Sequence, residues 1–125
     1  MSDGIGARTE LLLGEDGMRK LKDSTVVLAG AGAVGGYVLE GLVRAGVGHI
    51  RVVDGDVFSA SNMNRQILAT TDTIGRNKSD VAVERARSIN PDIDIVAINS
   101  MVSEETISFI LKDVPDVIAD AIDTI

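Results

Sequence analysis

Three glycines spaced Gly30-x-Gly32-x-x-Gly35 and a scatter of charged residues carry the chemistry legible in this chain of 125 residues. The glycines follow the apolar run Thr25 to Ala29 and open a stretch of helical periodicity, which is the context such spacing needs to bind an anion. Gly30 permits a tight turn, Gly32 lets a phosphate approach the backbone, and Gly35 lets the helix pack closely on the strand. Free backbone N–H groups and the helix dipole then favour negative charge at the turn. Asp54 stands 19 residues after Gly35, at the end of the next apolar run, where a carboxylate accepts hydrogen bonds from ribose hydroxyls. The two features together point to an adenine nucleotide but not to which one, because a nicotinamide dinucleotide uses the same pair. A ligand-free glycine turn and a strand-end turn residue are the plainer alternatives.

A second group lies further along. Asn62-Met63-Asn64-Arg65-Gln66 sits in the aperiodic stretch 55–77, and Lys78 follows 13 residues after Arg65. Loops this long are uncommon unless they are functional. A triphosphate needs cations beyond a glycine turn; Arg65 offers a rigid fork for phosphate oxygens and Lys78 a mobile point charge. Asn62 and Asn64 can hydrogen-bond phosphate or ribose. Taken singly, Arg65 and Lys78 are equally read as surface cations. The last apolar run ends in Asp120-Ala121-Ile122-Asp123. Asp123 is placed to hold a magnesium ion that bridges phosphates, since Mg²⁺ takes one or two carboxylates plus phosphate oxygens. Asp120 falls inside the run, and two acids at a strand end without any metal role have the same spacing.

The elements that must position these residues follow from periodicity. Residues 1–24 read as a polar arm and a short helix, with Leu11, Leu12 and Leu13 beginning an apolar face that Met18 and Leu21 continue, and with a break at Gly14 or Gly17. Residues 25–125 read as a Rossmann-like nucleotide-binding domain. Strands are expected at Thr25 to Ala29, Ile50 to Val53, Ile93 to Ile98 and Val117 to Ala121, and helices at Val34 to Ala45, Ser79 to Ile89 and after an N-cap at Ser103. This alternation makes an α/β fold: a mostly parallel sheet with helices on both faces and strand order 3-2-1-4. The chain stops two residues past Asp123, where a loop should begin, so the sequence is expected to be the N-terminal part of a longer protein and inactive alone.

Composition excludes several other chemistries. There is no cysteine, so disulfides, thiolate catalysis and Cys-bound zinc are absent from these residues, and the single His49 leaves little for histidine chemistry. Aromatic residues are few, which argues against a base-stacking platform, and the net charge of -7 argues against a broadly basic face. The charge is uneven: residues 61–90 carry +2 and residues 91–125 carry -7, so a local anion site fits better than a nucleic-acid groove. The longest uncharged stretch, Ser24 to Leu39, is too short and glycine-rich to span a membrane, and no targeting segment is visible; a cytoplasmic protein is expected.

Gly30 to Gly35, Asp54, the Asn62 to Gln66 segment, Lys78 and Asp123, in that order, resemble the adenylating domain of ubiquitin-activating-type enzymes, the ThiF, MoeB and HesA family. The likeness runs from about Arg8 to the last residue. Arg8-Thr9-Glu10-Leu11-Leu12, Asn62-x-Asn64-Arg65-Gln66-Ile67, Ile74-Gly75-Arg76-x-Lys78 and Ile89-Asn90-Pro91 are most similar to the tRNA threonylcarbamoyladenosine dehydratase branch; sulfur-carrier activators usually have Gln where Asn64 stands. The resemblance implies ATP and Mg²⁺, adenylation of a carboxylate with release of pyrophosphate, a homodimer, and a tRNA or a ubiquitin-like sulfur-carrier protein as substrate of the whole protein. It further implies that Asp54 holds the ribose, that Arg65 and Lys78 hold phosphates with Asn62, Asn64 and Gln66 nearby, that Asp123 holds magnesium, and that Arg8 reaches the ATP of a second subunit. Cysteines that relatives use for transfer or zinc would lie beyond residue 125. A nicotinamide-dependent oxidoreductase domain and a non-catalytic binding module are the competing classes; the first leaves Arg65, Lys78 and Asp123 unexplained.

Overall fold

The computed structural model describes residues 4–123; the start of the expected N-terminal arm and the last two residues lie outside them. Helix α1 (Ala7–Asp23) leads into four strands, β1 (Thr25–Ala29), β2 (His49–Val53), β3 (Asp94–Ile98) and β4 (Val117–Asp120). Helices α2 (Ala33–Ala45), α3 (Lys78–Ile89) and the short α4 (Ile107–Ile110) connect them. A 3-10 turn at Ala60–Asn64 interrupts the stretch expected to be irregular. The strands pair in parallel in the order β3-β2-β1-β4, as the alternation of apolar runs requires.

Register decides what meets at the carboxyl edge. Ala29 pairs with Val53 and with Asp120, and Val53 pairs with Ile98. The residues one step beyond, Asn99, Asp54, Gly30 and Ala121, therefore form a row across the sheet, where parallel α/β folds bind ligands.

β1 is buried along almost its whole length because it is central and covered on both faces, which explains its unbroken apolar run. One face is thick: Leu28, Ile50, Val52 and Ile95 pack with Leu39 and Val43 of α2, Ala82 and Ala86 of α3, and Phe58 from the long loop. The other face is thin: Val27 and Val53 meet Ile110, with Ile98 and Leu111 at its margin. The edge strands show the contrast, with Val96 of β3 48% and Ile118 of β4 53% exposed.

Two expected helices differ from the reading of periodicity. α1 buries no residue; its backbone breaks at Gly14, which has φ 74°, and the break turns the first half away, leaving Leu11, Leu12 and Leu13 exposed rather than on one face with Met18 and Leu21. The helix expected after Ser103 is only four residues long. Ser103 is not its N-cap: the Ser103 hydroxyl accepts from the Thr106 N–H at 3.3 Å within a turn that precedes the helix, Thr106 takes the N-cap position without a side-chain cap, and Ile107 stays partly exposed. Among the described residues no helix is long and apolar enough to cross a membrane.

α2 and α3 are tied by charge as well as by packing. Glu40 of α2 accepts hydrogen bonds from Arg85 of α3 and, at 3.0 Å, from Arg44 one turn along its own helix. The Arg85 guanidinium, helped by Arg44, holds the Glu40 carboxyl below its ordinary 4.5, against the opposing effect of its burial. The unfolded chain then binds more protons than the native one below that value, so this part of the stability is present above pH 4.5 and is lost as pH falls through the depressed pKa. Glu40→Gln is expected to lower stability by about 1 kcal/mol at pH 7. Urea titrations of both proteins should give midpoints that converge once the pH drops below the native Glu40 pKa.

Candidate functional site

The turn after β1 is shaped by two glycines. Gly30 has φ 98°, a left-handed conformation in which a Cβ is strained, and a Cβ there would lie 2.7 Å from the Ala121 carbonyl oxygen. A Cβ on Gly35 would lie 1.9 Å from the Gly30 carbonyl oxygen, so only glycine lets α2 start this close to β1. The helix begins directly after Gly32 with no side-chain cap, leaving its first N–H groups open to a ligand.

Asp54 braces this turn. Its Oδ2 accepts from the Ala31 N–H and its Oδ1 from the Asp56 N–H, both at 2.8 Å. Two oxygens carry about four lone-pair sites, so the carboxylate can still accept from a ligand hydroxyl.

Asp54 and Gly30 open onto a hollow at the carboxyl edge of the sheet. Lys78, Asp56 and Asp123 supply its charged wall, and Val53, Met101, Val102, Ala121 and Ile122 its apolar one. Gly32 lies on its border as well. A cation and open helix N–H groups on one side, a carboxylate at the strand end and an apolar slot on the other side suit a nucleoside polyphosphate.

Lys78 is 8% exposed, and its Nζ stands 5.6 Å from the centroid of the Phe58 ring, within cation–π range. It is the first residue of α3, held there by its own N–H to the Asp56 carbonyl at 3.0 Å. A buried cation at the positive end of a helix dipole is unfavourable by itself, and an anion in the hollow would relieve it.

The Asn62 to Gln66 segment divides by role. Asn62 is buried, and its side-chain oxygen accepts from the Ser59 N–H at 2.8 Å, so it shapes the 3-10 turn rather than facing the hollow. Arg65 is exposed; its Nη1 donates to the Ser61 carbonyl at 3.2 Å and to Asn64 Oδ1 at 3.0 Å. Neither Arg65 nor Asn64 lines the hollow that Lys78 and Asp123 share. Gln66 is buried against Gly32, its Nε2 3.4 Å from where a Cβ would stand, and its Oε1 has no hydrogen-bond partner among the described residues. An unsatisfied buried amide beside an open helix N-terminus fits a site that is completed by a polar ligand.

Asp123 is exposed at the rim, while Asp120 points its Oδ1 to the Ile122 N–H at 3.1 Å. Among the described residues no three or more His, Cys, Asp or Glu side chains cluster closely enough to hold a metal unaided. Arg8 is exposed in the first turn of α1. Gly6, two residues before it, lies against Met18 in a cleft shared with His49 and Asp94 at the amino ends of the strands. Within one chain it is thus on the edge opposite the hollow.

Asp56, Met101 and Val102 were not legible as site residues. Asp56 had a signal in its spacing of two from Asp54; Met101 and Val102 had none, because they reach the hollow from a turn with no periodicity.

A ThiF family profile matches residues 7–125. The chain is 40% identical over 119 residues to the tRNA threonylcarbamoyladenosine dehydratase of Bacillus subtilis, covering 95% of this chain and 47% of that protein. It is also 40% identical over 124 residues to the sulfur carrier protein ThiS adenylyltransferase of Bacillus subtilis, covering 96% of this chain and 37% of that one. The crystal structure of the Escherichia coli tRNA N6-threonylcarbamoyladenosine dehydratase TcdA in complex with ATP superposes with a TM-score of 0.91 at 32% identity, covering 95% of this chain and 49% of that one. The chain spans less than half the length of each of these relatives. With a family match that takes in the glycine turn, Asp54, Lys78 and Asp123 alike, the chain belongs to the ThiF family.

Proposed function

We propose that this chain is the ATP-binding part of a cytoplasmic, homodimeric enzyme that adenylates a carboxylate, and that the carboxylate is the threonylcarbamoyl group on a tRNA adenosine. One observation carries the reading: Lys78, Asp54, Gly30 and Gly32 line one hollow. The similarity to a dehydratase crystallised with ATP supports adenosine triphosphate as the nucleotide.

A carboxylate is a poor electrophile at neutral pH, and attack on the α-phosphorus of ATP turns it into a mixed anhydride whose carbamoyl-driven cyclisation then expels AMP. Bound ATP supplies that phosphorus, and bound Mg²⁺ neutralises phosphate charge. The protein's own residues position and balance charge. Asp54 takes the ribose hydroxyls on its free lone pairs, and the N–H groups opening α2 take phosphate oxygens. Lys78, backed by Phe58, balances the charge that grows on the departing pyrophosphate. Val53, Met101 and Val102 give the base an apolar seat. Asp123, with Asp56 beside it on the wall, would hold the hydrated metal. Arg65 reaches the phosphates by giving up its contacts to Ser61 and Asn64, and Arg8 serves the site of the second subunit. None of these steps requires a cysteine.

A second reading keeps the chemistry and changes the substrate. Identity to the ThiS adenylyltransferase equals that to the dehydratase from the same organism, which favours activation of a ubiquitin-like carrier's C-terminal carboxylate as the alternative.

Calorimetric titration of the full-length protein should detect ATP with Mg²⁺ and no tight binding of NAD. Lys78→Ala should raise the ATP Kd by about 30-fold, the loss expected for a hydrogen bond to a charged group. Tight NAD binding with no ATP binding would turn the reading toward an oxidoreductase. ATP–pyrophosphate exchange should depend on threonylcarbamoylated tRNA and be abolished in Arg65→Ala and Asp123→Ala. Exchange that persists in both variants rejects adenylation at this site, and exchange stimulated only by a carrier protein selects the alternative substrate.

A further inference from the structure

Ser79 is completely buried yet polar, and it follows Lys78 on α3. Its hydroxyl lies within reach of two acceptors, the Asn99 side-chain oxygen and, at 3.2 Å, the Asp54 carbonyl. The orientation of Asn99 is set by Asp80. That carboxylate accepts from Asn77 Nδ2 at 3.1 Å and attracts Asn99 Nδ2 at 3.4 Å, which turns the Asn99 oxygen toward Ser79. Asn99 is the first residue past β3, Asp54 the first past β2, and Ser79 lies in the first turn of α3. Neither Ser79 nor Asn99 lines the hollow, but Asp54 and Lys78 on either side of their contact both do.

We propose that Ser79 and Asn99 are positioning residues for the nucleotide: together they hold the Asp54 main chain and the start of α3 in one register, and so set the Asp54 carboxylate and the Lys78 ammonium across the hollow. This rests on the ATP-site reading and deepens it. The Ser79 hydroxyl has a single proton, so it binds one acceptor at a time and keeps the other as a near neighbour. Asn99 is therefore the part that ties β3 into the arrangement, and removing either residue should release the same constraint. A role confined to packing would lower the melting temperature and leave nucleotide affinity alone.

The test is a double-mutant cycle in the full-length protein with Ser79→Ala, Asn99→Ala and both together, read by ATP·Mg²⁺ calorimetry with thermal unfolding in parallel. Each single change should raise the ATP Kd by about tenfold, and the double should raise it no further than the larger single, because the two residues act as a unit. The KM for ATP in pyrophosphate exchange should rise in step, with kcat changed by less than about twofold. Unchanged Kd in folded single variants overturns the proposal, and so does a double whose effect is the product of the singles. If Ser79→Ala does not fold, Asn99→Ala alone decides by the same Kd criterion. Failure of the wild-type protein to bind ATP overturns the ATP-site reading and this inference with it, whereas wild-type binding with indifferent variants overturns the inference alone.

Discussion

The Asp54 carboxylate holds the carboxyl edge of the sheet in working order. Past Ala29, the Gly30 N–H still pairs with the Val53 carbonyl at 2.8 Å, but the Ala31 N–H has no strand carbonyl to meet and lies in a turn shut off from water: Ala31 is 1% exposed. A buried N–H left unpaired is costly, and Asp54 satisfies it from the neighbouring strand. Its other oxygen takes the Asp56 N–H and so bends the chain leaving β2 back over the edge. One side chain thereby links the glycine turn to the long loop, and the loop in turn delivers Lys78 through the Asp56 carbonyl. The group read as a ribose acceptor is also the group that builds the place where the ribose would sit.

Charge is distributed around this link with a bias toward an anion. Phe58 is almost fully buried, and it supports the Lys78 ammonium where the start of a helix opposes a positive charge. Gln66 is buried against Gly32 with an unpaired oxygen. A buried cation and a buried unpaired oxygen are each costly by themselves, and a polar or anionic ligand would offset both. Elsewhere the charges are used for stability: Glu40 joins α2 to α3 through Arg85.

The two faces of the sheet are covered unevenly among the described residues. α2 and α3 with the long loop form a thick layer on one face, and that layer carries the glycine turn, Phe58 and Lys78. The other face has only the short α4 over Val27 and Val53 among the described residues. The side with the deeper core is the side from which Phe58 and the α3 helix that begins with Lys78 come.

The local signals in the sequence were sufficient for the parallel sheet, its strand order and the glycine turn. A continuous apolar run must lie in the middle of a sheet, and Gly30 and Gly35 stand where a side chain would be strained or collide. Asp54, Lys78 and Asp123 were legible as charges at strand or helix ends, positions that register brings to one edge. Periodicity could not foresee that Leu11, Leu12 and Leu13 would face outward, because a single backbone angle at Gly14 redirects them. Nor could residue type separate Asn62, which closes its own turn, from Gln66, which lies against Gly32 with an oxygen unpaired. The meeting of Ser79, Asn99 and Asp54 was equally out of reach. Those residues lie 20 to 25 positions apart in the pairs that touch, and such contacts depend on how three chain ends converge in space, which no local pattern encodes.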